Sequence, residues 1–120
     1  MKAEDQVPSR ETCERLKAAG FPQDDTYFYW DKTDLNEYGV YAFWSTYNRV
    51  GAAPTVGELM EVLVKAGYSP SVGAVGELGY GASSTASKAG TVPVFVTSMQ
   101  VYPTAAEAAA LLWLKVKGEK

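Results

Sequence analysis

The residues of this chain that could do chemistry are carboxylates, tyrosines, lysines and arginines. Its 120 residues include no His and one Cys, which excludes Ser-His-Asp and Cys-His nucleophile systems, His-containing zinc sites and Cys-x-x-Cys redox pairs. Cys13 falls at a core-facing position of a predicted helix, so we interpret it as a small hydrophobe and not as a reactive thiol. The sequence therefore favours binding over catalysis, and we assign no catalytic residue, metal site or cofactor.

Acidic and aromatic residues concentrate in one region, residues 21–48. This region holds ten of the fifteen aromatic residues, and five Asp and Glu residues against one Lys. Successive side chains of a strand alternate between faces, which places Tyr27 and Tyr29 opposite Phe28 and Trp30. Three small helices can bury one face of a sheet completely, so an aromatic second face is a candidate binding surface.

We predict that this surface binds its partner through aromatic anchors surrounded by a polar rim. The anchors are Tyr27, Tyr29, Trp30, Tyr41, Trp44 and Tyr47, and the rim is Asp31, Asp34 and Glu37. Tyr and Trp give a large contact area at a low cost in conformational entropy, and they dominate interface hot spots. The leading hypothesis is a non-catalytic interaction protein.

Two alternatives use the same residues differently. In a small-molecule sequestering protein, the aromatic rings stack on a planar, nucleotide-like ligand and residues 76–90 close over it. The acidic rim opposes a phosphate unless Arg49, Lys65 or Lys88 lies close by. In a carboxylate-based hydrolase, two of the acids must share a cleft, and no spacing in the sequence selects a pair.

Charge and hydropathy limit the class of partner and the location. The net charge of −3 disfavours general nucleic-acid binding, which depends on neutralising phosphates. The most apolar stretch, 105–114, is interrupted by Glu107 and is shorter than the roughly 20 residues of a membrane span. Residues 1–8 contain no apolar run, so we expect a cytoplasmic protein with no membrane partner.

Four consecutive large apolar residues, 111–114, span more than half of a helix circumference and are a candidate contact for a homo-oligomer.

Three helices are predicted from a shared start, a Pro followed by Ser or Thr. Glu58 and Glu107 lie three residues after the second and third of these hydroxyl residues, as in a capping box. Gly20 and Gly67 follow the first two helices, where a left-handed cap favours Gly. The N-cap residues are Ser9, Thr55 and Thr104, and the predicted helices are 10–19, 56–66 and 105–117.

Aromatic and β-branched residues predict two hairpins between these helices. The predicted strands are 26–30, 38–47, a Gly-broken segment 71–81, and 92–102, with a flexible loop over 79–91. The resulting order is α-ββ-α-ββ-α, a single α+β domain over residues 1–120 with one antiparallel sheet of about four strands. A duplicated α-β-β unit is one interpretation, and independent helices that use the same capping chemistry are the other.

Several short motifs resemble a loose group of small phage and prophage proteins. They are Leu16-Lys17 with Gly20-Phe21-Pro22-Gln23, Phe28-Tyr29-Trp30, Ala53-Pro54-Thr55 with Glu58-Leu59, and Pro103-Thr104 with Glu107-Ala108 and Leu111-Leu112-Trp113-Leu114. Residues 69–91 have no counterpart in that group. The group has no assigned function, so the resemblance implies no catalytic or ligand-binding residue. It implies an accessory protein that acts in a host cytoplasm on a host protein or a small molecule.

Overall fold

The computed structural model describes residues 3–33, 37–46, 48–74, 76–86, 94–97 and 102–117. The helices are α1 (Arg10–Ala18), α2 (Val56–Lys65) and α3 (Ala105–Val116), and the strands are β1 (Phe28–Lys32), β2 (Tyr38–Ala42), β3 (Arg49–Ala53), β4 (Tyr68–Ala74), β5 (Tyr80–Ala86) and β6 (Val94–Thr97). The α+β class is confirmed, and each predicted helix agrees with the structure to within one residue. None of the helices in the described ranges has the length and apolarity to cross a membrane.

The helix ends form as their sequences predict. The hydroxyl groups of Ser9, Thr55 and Thr104 accept hydrogen bonds from the backbone N–H three residues later, at 3.3, 3.3 and 3.1 Å. Gly20 and Gly67 have φ angles of +93° and +95°, a conformation that other residues adopt at a cost. These caps depend on local sequence alone, which is why the helix bounds were predictable.

The strands form two antiparallel sheets of three, which corrects the expected single sheet of about four strands. The first sheet has the order β2-β1-β3 and the second has the order β4-β5-β6. The central strand is β1 in the first sheet and β5 in the second, so it is the first strand of its sheet in one case and the second in the other. This difference favours independent helices with common caps over a duplicated unit.

Strands β3 and β5, which the sequence did not predict, contain small residues that allow a helix to pack closely on them. A Cβ added to Gly51 in β3 would lie 3.8 Å from Lys17 Cδ and 4.0 Å from Cys13 O, so α1 packs closely on this strand. Helix α3 packs on β5, where Ala82 is buried beside the alanines of the helix. Strand β5 therefore occupies the first part of the predicted loop 79–91, and residues 87–91 lie outside the described residues.

Helix α1 contributes to two hydrophobic clusters. Cys13 packs with Val7, Val40 and Ala53 against the first sheet. Leu16 packs in the larger cluster, which α2, α3 and the second sheet also form. Within α3, residues 112–114 are buried and Leu111 is half-buried, so most of this segment belongs to the core, and the homo-oligomer stays a prediction.

A carboxylate joins α3 to α1. In place of the predicted bond to Thr104 N, Glu107 Oε1 accepts a hydrogen bond from Ser9 N at 2.8 Å. Glu107 Oε2 accepts one from the Thr12 hydroxyl at 2.6 Å. Negative charge at the N-terminus of a helix is also favoured by the helix dipole. Glu107 therefore stabilises the contact between two helices in addition to the start of its own helix.

We expect Glu107→Ala to lower the free energy of unfolding by about 2 kcal/mol, because it removes two hydrogen bonds to a charged group. Urea unfolding followed by circular dichroism measures this change. The exposed Glu14 of α1 is the matched control, and Glu14→Ala should change the stability by less than about 0.5 kcal/mol. Equal losses for the two variants would contradict the role assigned to Glu107.

Candidate functional site

The register of the first sheet separates its two faces. Tyr29 pairs with Tyr41 on β2 and with Ala52 on β3, so these side chains share one face. Trp30 pairs with Val40 on the opposite face. That face packs on the cluster around Cys13, and the Trp30 indole donates a hydrogen bond to Pro8 O at 3.2 Å. The first face therefore carries the aromatic residues that the hydrophobic clusters do not use.

Four aromatic residues meet at one corner of this sheet. A 3₁₀ turn, Phe43–Ser45, follows β2 and ends the alternation of side chains, so Phe43 and Trp44 both approach Tyr27. The ring centroids lie 4.8 to 6.0 Å apart and the rings meet edge to face. We call Tyr27, Phe28, Phe43 and Trp44 the aromatic cluster. The exposed fractions of Tyr27, Phe43 and Trp44 are 45%, 49% and 65%.

Hydrogen bonds hold the aromatic cluster at both ends. Arg49 donates to Phe43 O at 3.1 Å and to the Thr46 hydroxyl at 2.8 Å. Its guanidinium carbon lies 3.9 Å from the centroid of the Tyr29 ring, a cation–π contact. At the other end, Tyr27 N donates to Glu58 Oε2 at 2.9 Å. Hydrogen bonds therefore hold the backbone of the cluster at Tyr27 and at Phe43.

The structure divides the predicted site residues into three groups. Tyr27, Tyr41, Trp44 and Glu37 are exposed. Tyr29 and Asp31 are buried and Trp30 is half-buried, so these three side chains are less exposed than a binding surface requires. Asp34 and Tyr47 lie outside the described residues.

The buried residues have structural contacts. Asp31 Oδ1 accepts a hydrogen bond from Asn48 N at 2.9 Å, close to the point where the register between β1 and β3 shifts. Tyr29 lies under the Arg49 guanidinium, and its hydroxyl has no hydrogen-bond partner among the described residues. Trp30 belongs to the opposite, packed face. The Tyr29 contact comes from Arg49 of β3 and the Asp31 contact from Asn48, the residue before β3; the sequence did not predict a strand here.

Phe43 and Arg49 are site residues that the sequence analysis missed. A continued strand would have placed Phe43 and Trp44 on opposite faces. The sequence signal against a continued strand is the polar pair Ser45-Thr46 that follows. The Ser45 hydroxyl donates to Ala42 O at 3.2 Å and the Thr46 hydroxyl donates to Phe43 O at 3.1 Å, bonds typical of turns.

A cleft of about 310 Å³ lies beside the aromatic cluster. Its charged residues are Asp25, Glu58, Glu61 and Lys65, and we call it the acidic cleft. Lys65 Nζ lies 2.9 Å from Glu61 Oε1. The hydrogen bond to Glu61 and the charges of Glu61 and Asp25 raise the pKa of Lys65.

A larger cleft of about 510 Å³ lies at the N-termini of α2 and α3. Tyr80, Pro103 and Asp5 contribute to its walls. None of the predicted site residues lines it. Across the described part of the chain, no three Cys, Asp or Glu side chains are grouped as a metal site requires.

The comparisons with known proteins give no relative: no family model, no curated protein and no solved structure matches this chain. The interpretation of the site therefore depends on its geometry.

We expect the Cys13 thiol to be unreactive in the folded protein. Burial raises its pKa from 9.0 to about 12, although a hydrogen bond with Trp30 acts in the opposite direction. The thiolate is the reactive form, so modification by dithionitrobenzoate at pH 8 should be at least about 100-fold slower in native protein than in urea. The same rate in both conditions would contradict this assignment.

Proposed function

We propose that this chain is a non-catalytic interaction protein that binds another protein through the aromatic cluster. The observation that carries the proposal is the exposure of three adjacent aromatic side chains, Tyr27, Phe43 and Trp44, in a cluster held by backbone hydrogen bonds. Large exposed apolar patches on soluble proteins mark interaction sites, and Trp and Tyr are the commonest hot-spot residues. The resemblance to phage proteins favours a host protein as the partner, with the host cytoplasm as the location.

The geometry supports a protein partner better than a planar small molecule. The four rings meet at interplanar angles between 78° and 88°, so no two neighbouring rings form a parallel slot for a base. The expected lid, residues 76–90, includes strand β5 up to Ala86, which pairs with β4 along its length. The small-molecule alternative therefore loses both the stacking slot and part of its lid.

The carboxylate-based hydrolase has weaker support than either binding hypothesis. Asp31 is buried and accepts a hydrogen bond from Asn48 N, whereas Glu37 is exposed. A hydrolase of this kind needs two carboxylates that face the same substrate bond. These two carboxylates lie in different environments.

The proposal is tested with two exposed apolar residues, Trp44 in the cluster and Leu78 in the turn between β4 and β5, which is 78% exposed. Benzoylphenylalanine at position 44 should photo-crosslink a discrete partner in source cells, and at position 78 it should not. With that partner purified, Trp44→Ala should raise Kd about 30-fold and Leu78→Ala less than threefold.

Both variants should keep the free energy of unfolding within about 1 kcal/mol of the parent, because both side chains are largely exposed. The proposal fails if Trp44→Ala binds the partner as tightly as Leu78→Ala, or if both positions crosslink the same protein equally.

A further inference from the structure

The acidic cleft and the aromatic cluster adjoin at Thr26 and Tyr27. Thr26 lines the cleft and Tyr27, the next residue, belongs to the cluster. Glu58 lines the cleft, and its carboxylate accepts the hydrogen bond from Tyr27 N. A partner that covers Tyr27 therefore comes within reach of the carboxylates of the cleft.

The charges of this surface are unevenly distributed. Three carboxylates of the cleft face a single ammonium, and that ammonium is engaged by Glu61. Asp24, which precedes Asp25, is exposed and adds to the negative charge on this side. On the far side of the cluster, the Arg49 guanidinium donates to Phe43 O. The surface is therefore negative at the Tyr27 end and positive at the Phe43 end.

We propose that the partner inserts an Arg side chain into the acidic cleft while its neighbouring apolar residues cover the aromatic cluster; this inference rests on the proposed function. Charge complementarity across an interface directs which end of the partner lies at each end of the site. The Asp25 end attracts a cation and the Arg49 end repels one, so the partner binds in one orientation.

The chemistry of the cleft favours a guanidinium over an ammonium. Its five N–H donors can reach two carboxylates at once, and it loses hydration more readily than an ammonium. Pro22 and Val62 also line the cleft and can cover the methylene groups of a long side chain.

The test uses the full chain labelled with ¹⁵N and four acetylated, amidated tripeptides, Leu-X-Leu with Arg, Lys, norleucine or Glu at X. We expect saturable shifts of the Thr26, Tyr27 and Glu58 amides with the Arg peptide, and binding about threefold weaker or more with the Lys peptide. The norleucine peptide should shift the Phe43 and Trp44 amides without those of the cleft, and the Glu peptide should bind most weakly.

Charge reversal identifies the carboxylate that receives the guanidinium. Asp25→Lys should weaken the Arg peptide about fivefold or more and leave the norleucine peptide unchanged, since the norleucine side chain carries no charge. Glu77→Lys is the matched control, an exposed Glu in the turn between β4 and β5, and should leave both peptides unchanged.

The outcomes separate this inference from the proposed function. Equal affinity for the Arg, Lys and norleucine peptides, with shifts confined to the aromatic cluster, overturns the Arg assignment and leaves the cluster as a binding surface. Equal effects of Asp25→Lys and Glu77→Lys also overturn the assignment. Unchanged affinity of the Trp44→Ala variant for the Arg and norleucine peptides places binding in the cleft alone and contradicts the role of the cluster.

Discussion

Helix α1, which the carboxylate of Glu107 joins to α3, makes the contacts on which the arrangement of the two sheets depends. The carboxylate accepts hydrogen bonds from Ser9 N and the Thr12 hydroxyl, so the first turn of α3 holds the first turn of α1. Helix α1 then places Cys13 in the cluster under the first sheet and Leu16 in the cluster with the second. Because close-packed clusters deform little, a shift of α1 would disturb both at once. Glu107 thus stabilises the contact of α3 with α1, and the clusters around Cys13 and Leu16 place the two sheets against α1.

Glu58 has the same role for the candidate site. Its Oε1 accepts the capping-box bond from Thr55 N at 2.8 Å, and its Oε2 accepts the bond from Tyr27 N. The start of α2 is thereby joined to the residue that the other exposed rings contact. In both helices, a Glu that sequence identifies as a local cap also contacts a distant element. The sequence pattern locates such residues, but it cannot show their second contact, because that contact depends on the packing of the whole chain.

The same division between local and distant interactions explains how much of the fold was predictable. The helix bounds follow from the hydroxyl caps and from Gly20 and Gly67, whose interactions lie within a few residues. Strand β3 contains Gly51 and two alanines, which have low strand propensity, and it forms because β1 and α1 both pack against it. The region of the site was predictable from composition. Its exposed residues were not, because Arg49 and Asn48 of the unpredicted segment cover Tyr29 and Asp31.

These contacts change how the charge of residues 21–48 is to be understood. Asp31 accepts a hydrogen bond from the backbone N–H of Asn48, so it stabilises the sheet and is not exposed as the predicted rim requires. Asp24 and Asp25 remain exposed on the side where Glu58 holds Tyr27. The acids therefore divide into one that orders the hairpin and others that give the surface its polarity. Because Arg49 and Glu58 hold the backbone on both sides of the aromatic cluster, the proposed partner would have to order less of this backbone on binding.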